Sequence, residues 1–199
     1  MKKMTNRLAA IVCLLVCTHA AQSQLSVQKD AALLSAIEKV LTALPGQLKP
    51  ITGELVNNNP QSKEFESKVL LPGSLSNMVV QYASVDNKKT IAAWHSVVME
   101  TDEFAKASKK FKWLYQQIKS GVYKCGGKNL RLSATYESPK EELAFTSLVF
   151  EEAGKKGSER IELSMQYAVT HWTIKLAVYN EDRELENLVR NGPEEKSDY

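Results

Sequence analysis

The sequence predicts an α+β fold: an antiparallel sheet with an N-terminal and a central amphipathic helix packed on one face. Three observations carry this. Phe104, Ala107, Phe111, Leu114 and Ile118 recur at helical spacing in the middle of the chain. The segments on either side alternate apolar and polar residues with period two, and short Gly-, Pro- and Asn-bearing turns separate them. The 199 residues are 43% hydrophobic and 25% charged, which suits a single globular domain rather than a disordered chain.

The first residues read as an address. Lys2, Lys3 and Arg7 precede the apolar run Leu8 to Val16, which is too short to span a bilayer, and Ala21-Gln22-Ser23 offers a signal peptidase its small residues. Thr18-His19-Ala20 is a second possible cleavage site. Residues 1–23 are thus expected to be a cleaved signal peptide, 24–192 a single α+β domain and 193–199 a disordered acidic tail. The mature protein is expected to be periplasmic or secreted and not membrane-spanning. A lipid anchor through Cys17 is the minor alternative, because Val16 stands where a lipoprotein signal carries Gly, Ala or Ser.

Cleavage alters charge and thiol count. Removing the leader's three cations from a formal net charge of +3 leaves a mature chain near neutrality, which argues against a nucleic-acid partner. Cys13 and Cys17 leave with the leader, so Cys125 remains as the sole thiol and no intrachain disulfide is possible.

Taken in order, Ser26 to Leu44 carries one apolar stripe (Val27, Ala31, Leu34, Ile37, Leu41, Leu44) and ends at Pro45-Gly46, so it reads as a helix. Strands follow at Ile51 to Val56, Phe65 to Leu71, Asn77 to Ala83 and Thr90 to Met99. The last is apolar on both faces around Trp94 and is expected in the sheet interior. The central helix covers Asp102 to Ser120, with Thr101 as N-cap and Gly121 as a left-handed stop. After a loop at Cys125-Gly126-Gly127 come strands at Leu130 to Tyr136, Leu143 to Glu151, Ile161 to Tyr167 and Trp172 to Val178. The inward-facing parity changes between the last two, which requires a turn or bulge there. Leu185, Leu188 and Val189 outline one further helical segment. The Trp94 and Trp172 strands each lead into acidic residues and a helix, an echo that would suit two similar halves.

Reactive chemistry is sparse. His95 and His171 each adjoin a tryptophan in a strand, so inward tryptophans would send both histidines to the other face. No HExxH, CxxC, EF-hand or GxSxG pattern occurs, and Gly126-Gly127 lacks the further glycine and helix of a phosphate site. Cys125, between Lys124 and Lys128, is the one candidate reactive thiol. Lys106, Lys109, Lys110, Lys112 and Lys119 give the central helix a basic outer face.

By elimination the expected function is a non-catalytic binding or protein-interaction module, with a protein or a small apolar molecule as its partner. No catalytic, metal or cofactor-binding residue is assigned, and no cofactor is implied. An interaction module would expose an aromatic patch near Trp113 or Tyr115. The alternative, a carrier of an apolar small molecule, would hold a cavity lined by Phe104, Phe111, Phe145 and Met165. The second alternative, a hydrolase or metal-dependent enzyme, would bring His95 and His171 together.

Overall fold

The computed structural model describes residues 28–83, 90–152 and 159–180. The expected leader, the Asp86-Asn87-Lys88 loop, the Gly154 to Gly157 turn, the Leu185 segment and the acidic tail lie outside them.

Helix α1 (Ala31–Ala43) starts where Asp30 caps it, the carboxylate accepting the Leu33 N–H at 3.0 Å. Leu33, Ile37, Val40 and Leu41 form its buried stripe. Two 3-10 turns, Leu44–Gly46 and Lys49–Ile51, then lead into a meander of four antiparallel strands: β1 (Thr52–Asn58), β2 (Ser62–Ser67), β3 (Ser76–Ala83) and β4 (Thr90–Thr101). Helix α2 (Phe104–Ser120) follows, then the hairpin β5 (Tyr123–Cys125) and β6 (Lys128–Leu130). A second meander, β7 (Phe145–Phe150), β8 (Glu159–Ala168) and β9 (His171–Asn180), completes the described chain.

The fold is therefore α+β, with two helices and a large antiparallel sheet among the described residues. The seven strands run in the order β1-β2-β3-β4-β9-β8-β7. Each half is a helix followed by a meander, and the halves join where β4 pairs with β9. Helix α2 packs on β4, β8 and β9, while α1 packs on β5. Trp94, Phe111, Leu114, Ile118, Leu163, Ile174, Leu176 and Val178 are fully buried in the core they share. Two buried polar ties fix the layers. Trp94 Nε1 donates to Ser67 Oγ at 2.9 Å, and the Gln117 amide accepts from Asp30 N–H at 2.8 Å and donates to the Gln28 carbonyl at 3.1 Å.

Local details depart from the sequence reading. Thr101 is not the N-cap of α2; that position is Glu103, whose N–H bonds Thr101 Oγ1 at 3.2 Å. Gly121 is extended (φ −67°, ψ 147°), not left-handed. A glycine is needed there for space, since a Cβ would lie 2.5 Å from the Tyr123 ring. Gly126 and Gly127, at φ 55° and 76°, form the two-residue turn between β5 and β6. The parity change before Trp172 is resolved by a two-residue turn, Val169-Thr170, with Val169 at φ 59°. The strand expected over Leu130 to Tyr136 is mostly absent: β6 ends at Leu130, and beyond it only Ser133 pairs, with Glu151.

Gly121→Ala should cost about 1–3 kcal/mol in urea unfolding, because the buried Tyr123 ring has nowhere to retreat. Gly46→Ala, whose new Cβ would meet nothing nearer than 4.0 Å, should leave stability unchanged or raise it slightly.

Candidate functional site

The two tryptophans point toward the helices, so His95 and His171 lie on the opposite face of the sheet, as strand parity requires. The structure does not bring them together. His95 stands opposite Ala177 on β9, and His171 is six residues earlier on that strand, about 20 Å away at 3.3 Å per residue. His171 Nε2 instead lies 3.9 Å from Glu100 Oε1 in an exposed pair. Among the described residues no three His, Cys, Asp or Glu side chains gather as metal ligands. Cys125 is a free thiol; burial raises its pKa, with the Thr42 hydroxyl offsetting part of the effect, so it is not activated.

The aromatic residues named for a patch or a cavity are also dispersed. Tyr115 is buried against Tyr136 and Phe150, and Trp113 is half-buried with Lys110 Nζ 4.1 Å above its ring. Phe111 and Met165 fill the core, and Phe104 packs edge-on to Trp172 at 5.1 Å. Phe145 faces away from them, on the side of the sheet opposite the helices. The basic face of α2 is partly tied down: Lys106 pairs with Glu103, and Lys119 donates to the Tyr115 hydroxyl at 3.0 Å.

The helix-free face carries a polar cluster. His95, Ala177 and Glu162 form one row across β4, β9 and β8. The Glu162 carboxylate accepts from Ser147 Oγ at 2.6 Å and from the Tyr179 hydroxyl at 3.3 Å, and the Tyr82 hydroxyl sits 3.5 Å from His95 Nε2. Burial lowers the His95 pKa and Lys175 lowers it further, while Glu162 and Glu64 oppose them. The net direction is downward, so the imidazole is neutral at pH 7. Two strand spacings, about 9.6 Å, separate the His95 and Glu162 backbones, and no hydrogen bond joins their side chains. Glu162 acts on His95 only through space, and the cluster is a hydrogen-bonding surface.

The second feature is a groove of about 610 Å³ beside β7, lined by Ser133, Ala134, Thr135, Glu137, Ser147, Leu148, Val149 and Glu151. Its origin is specific. Ser133 and Glu151 exchange both backbone hydrogen bonds, at 3.0 and 3.1 Å, so Glu151 directs its main chain outward from the sheet. Tyr167 N–H bonds the Ala144 carbonyl, so even-numbered residues of β7 face β8, and Phe145, Ser147 and Val149 present N–H and C=O groups to an edge that, among the described residues, no strand pairs. A regular strand would have continued from Ser133 to cover them. Instead the chain is drawn toward α2: Tyr115 donates its hydroxyl to the Ala134 carbonyl at 3.2 Å, and the Tyr115 and Tyr136 rings lie 4.7 Å apart.

Sequence reasoning missed this groove because Leu132, Ala134 and Tyr136 alternate as a strand would while packing on the core near α2. No protein-family model, curated protein or solved structure matches the chain.

The His95 shift has a definite sign. Its folded pKa lies below the ordinary 6.5, so the unfolded chain binds the extra proton first. The full stability is present above pH 6.5 and falls as pH drops toward the folded value, with a slope of at most about 1.4 kcal/mol per pH unit. In urea titrations between pH 7.5 and 5, His95→Gln should show a shallower decline than the parent; equal slopes would contradict the assignment.

Proposed function

We propose that this chain is an exported, non-catalytic interaction module that receives a protein partner along the β7 edge. One observation carries the reading: Ser147 and Val149 line a groove at a sheet edge in continuous register with β8, and Phe145 extends the same row of outward-facing backbone positions beyond it. The basic-then-apolar start of the sequence supports a periplasmic or secreted location.

Rival readings have less support. An apolar carrier needs an apolar cavity, whereas this groove is lined largely by hydroxyls and carboxylates, and Phe111 and Met165 occupy the core. An enzyme built on two histidines needs them within reach of one substrate atom, and they stand about 20 Å apart.

A photo-cross-linking residue placed at Ser147, and separately at Lys112 on α2, tests this in the native envelope. The Ser147 position should yield a discrete adduct and Lys112 should not. Adducts formed only from Lys112, or equally from both, would contradict the proposal.

A further inference from the structure

We infer that the β7 edge takes an extended, basic segment of its partner, which enters as an additional strand between β7 and residues 134–137. The inference rests on the interaction-module reading above and names the partner's chemistry. The backbone supplies the binding geometry. Phe145, Ser147 and Val149 offer alternating N–H and C=O groups at ladder spacing, and the Ser133–Glu151 pair closes one end of the groove and sets the register. Phe145 and Val149, 55% and 38% exposed, flank Ser147 on the helix-free face. The inserted strand therefore places apolar side chains opposite those two positions.

Charge selects the rest. Glu137 and Glu151 line the groove, and Glu141 and Glu142 are exposed in the turn before β7. Arg160 pairs with Glu151 at 3.2 Å, and Lys140 lies in the same turn. The balance stays negative, so Lys or Arg side chains on the incoming strand are favoured. A second copy of this chain docking edge to edge would set the same carboxylates against each other, which makes it the poorer occupant. The other sheet edge is a weaker template, since β1 pairs with β2 through two register shifts, between Thr52 and Leu55 and between Leu55 and Asn57.

The test uses the full chain and fluorescence anisotropy with three seven-residue probes: Thr-Val-Thr-Lys-Thr-Val-Thr, which sets Val opposite Phe145 and Val149 with Lys between them on the face of Glu151, the same peptide with Glu in place of Lys, and the Lys peptide N-methylated at alternate amides. The Lys peptide should bind, the Glu peptide and the N-methylated peptide should not, and added salt should weaken binding. Glu137→Lys should weaken the Lys peptide about three- to tenfold, and Val149→Pro, which removes an outward N–H, should abolish its binding. Circular dichroism checks that Val149→Pro folds; if it does not, the N-methylated peptide carries that arm. Equal binding of Lys and Glu peptides, both lost on Val149→Pro or N-methylation, overturns the basic-partner inference and leaves the edge reading standing. Binding unaffected by Val149→Pro and by N-methylation overturns the edge itself. No binding of the Lys peptide overturns the inference, and the Ser147 cross-link then decides the broader reading.

Discussion

The pairing of β4 with β9 is the contact on which the remaining architecture depends. It runs from Ala93 opposite Tyr179 to Thr101 opposite Trp172, with one irregularity between Val97 and Met99. Each strand closes its own half of the described chain, so their union joins two helix-plus-meander units into one sheet. The helix-facing side chains of this central pair, Trp94, Ile174, Leu176 and Val178, are entirely buried, each contributing on the order of 1.5–3 kcal/mol of apolar transfer. Because the last strands of the two meanders meet at the centre, the first strands are forced to the outside.

Among the described residues that arrangement leaves two edges, and they are managed differently. β1 bends through two irregularities and ends in Asn57 and Asn58, features that spoil an edge as a template for further pairing. β7 keeps continuous register with β8 from Phe145 to Phe150. Its natural cover is the chain after β6, which would occupy the position that β1 holds beside β2. The Tyr115 hydroxyl and the Tyr136 ring divert that segment after one pair, and the groove is what the diversion leaves. A tertiary contact from the central helix thus creates the exposed ladder positions.

Much of the fold was legible in the sequence because the signals were local. The stripe from Phe104 to Ile118 marked α2, and apolar residues on both faces around Trp94 marked an interior strand. Strand parity also placed His95 and His171 on the face away from their neighbouring tryptophans. The misses came from contacts distant in sequence. Its place after Ser120 marks Gly121 as a stop by backbone conformation, but the Tyr123 ring is what demands a glycine there. Leu132, Ala134 and Tyr136 have a strand's alternation and the core's destination, and only the position of Tyr115 decides between them. The carrier alternative sets Phe145 beside Phe111 and Met165 around a cavity, but its parity in β7 sends it to the other face. No short motif encodes an edge left unpaired among the described residues, so the candidate site has no local signature.

Backbone amide hydrogen exchange along β7 distinguishes an open edge from a covered one. In the free protein the amides of Phe145, Ser147 and Val149 should exchange readily, while those of Thr146, Leu148 and Phe150, directed toward β8, should be strongly protected. Uniform protection at all six positions would mean that the edge is already covered and that β7 is not a docking edge.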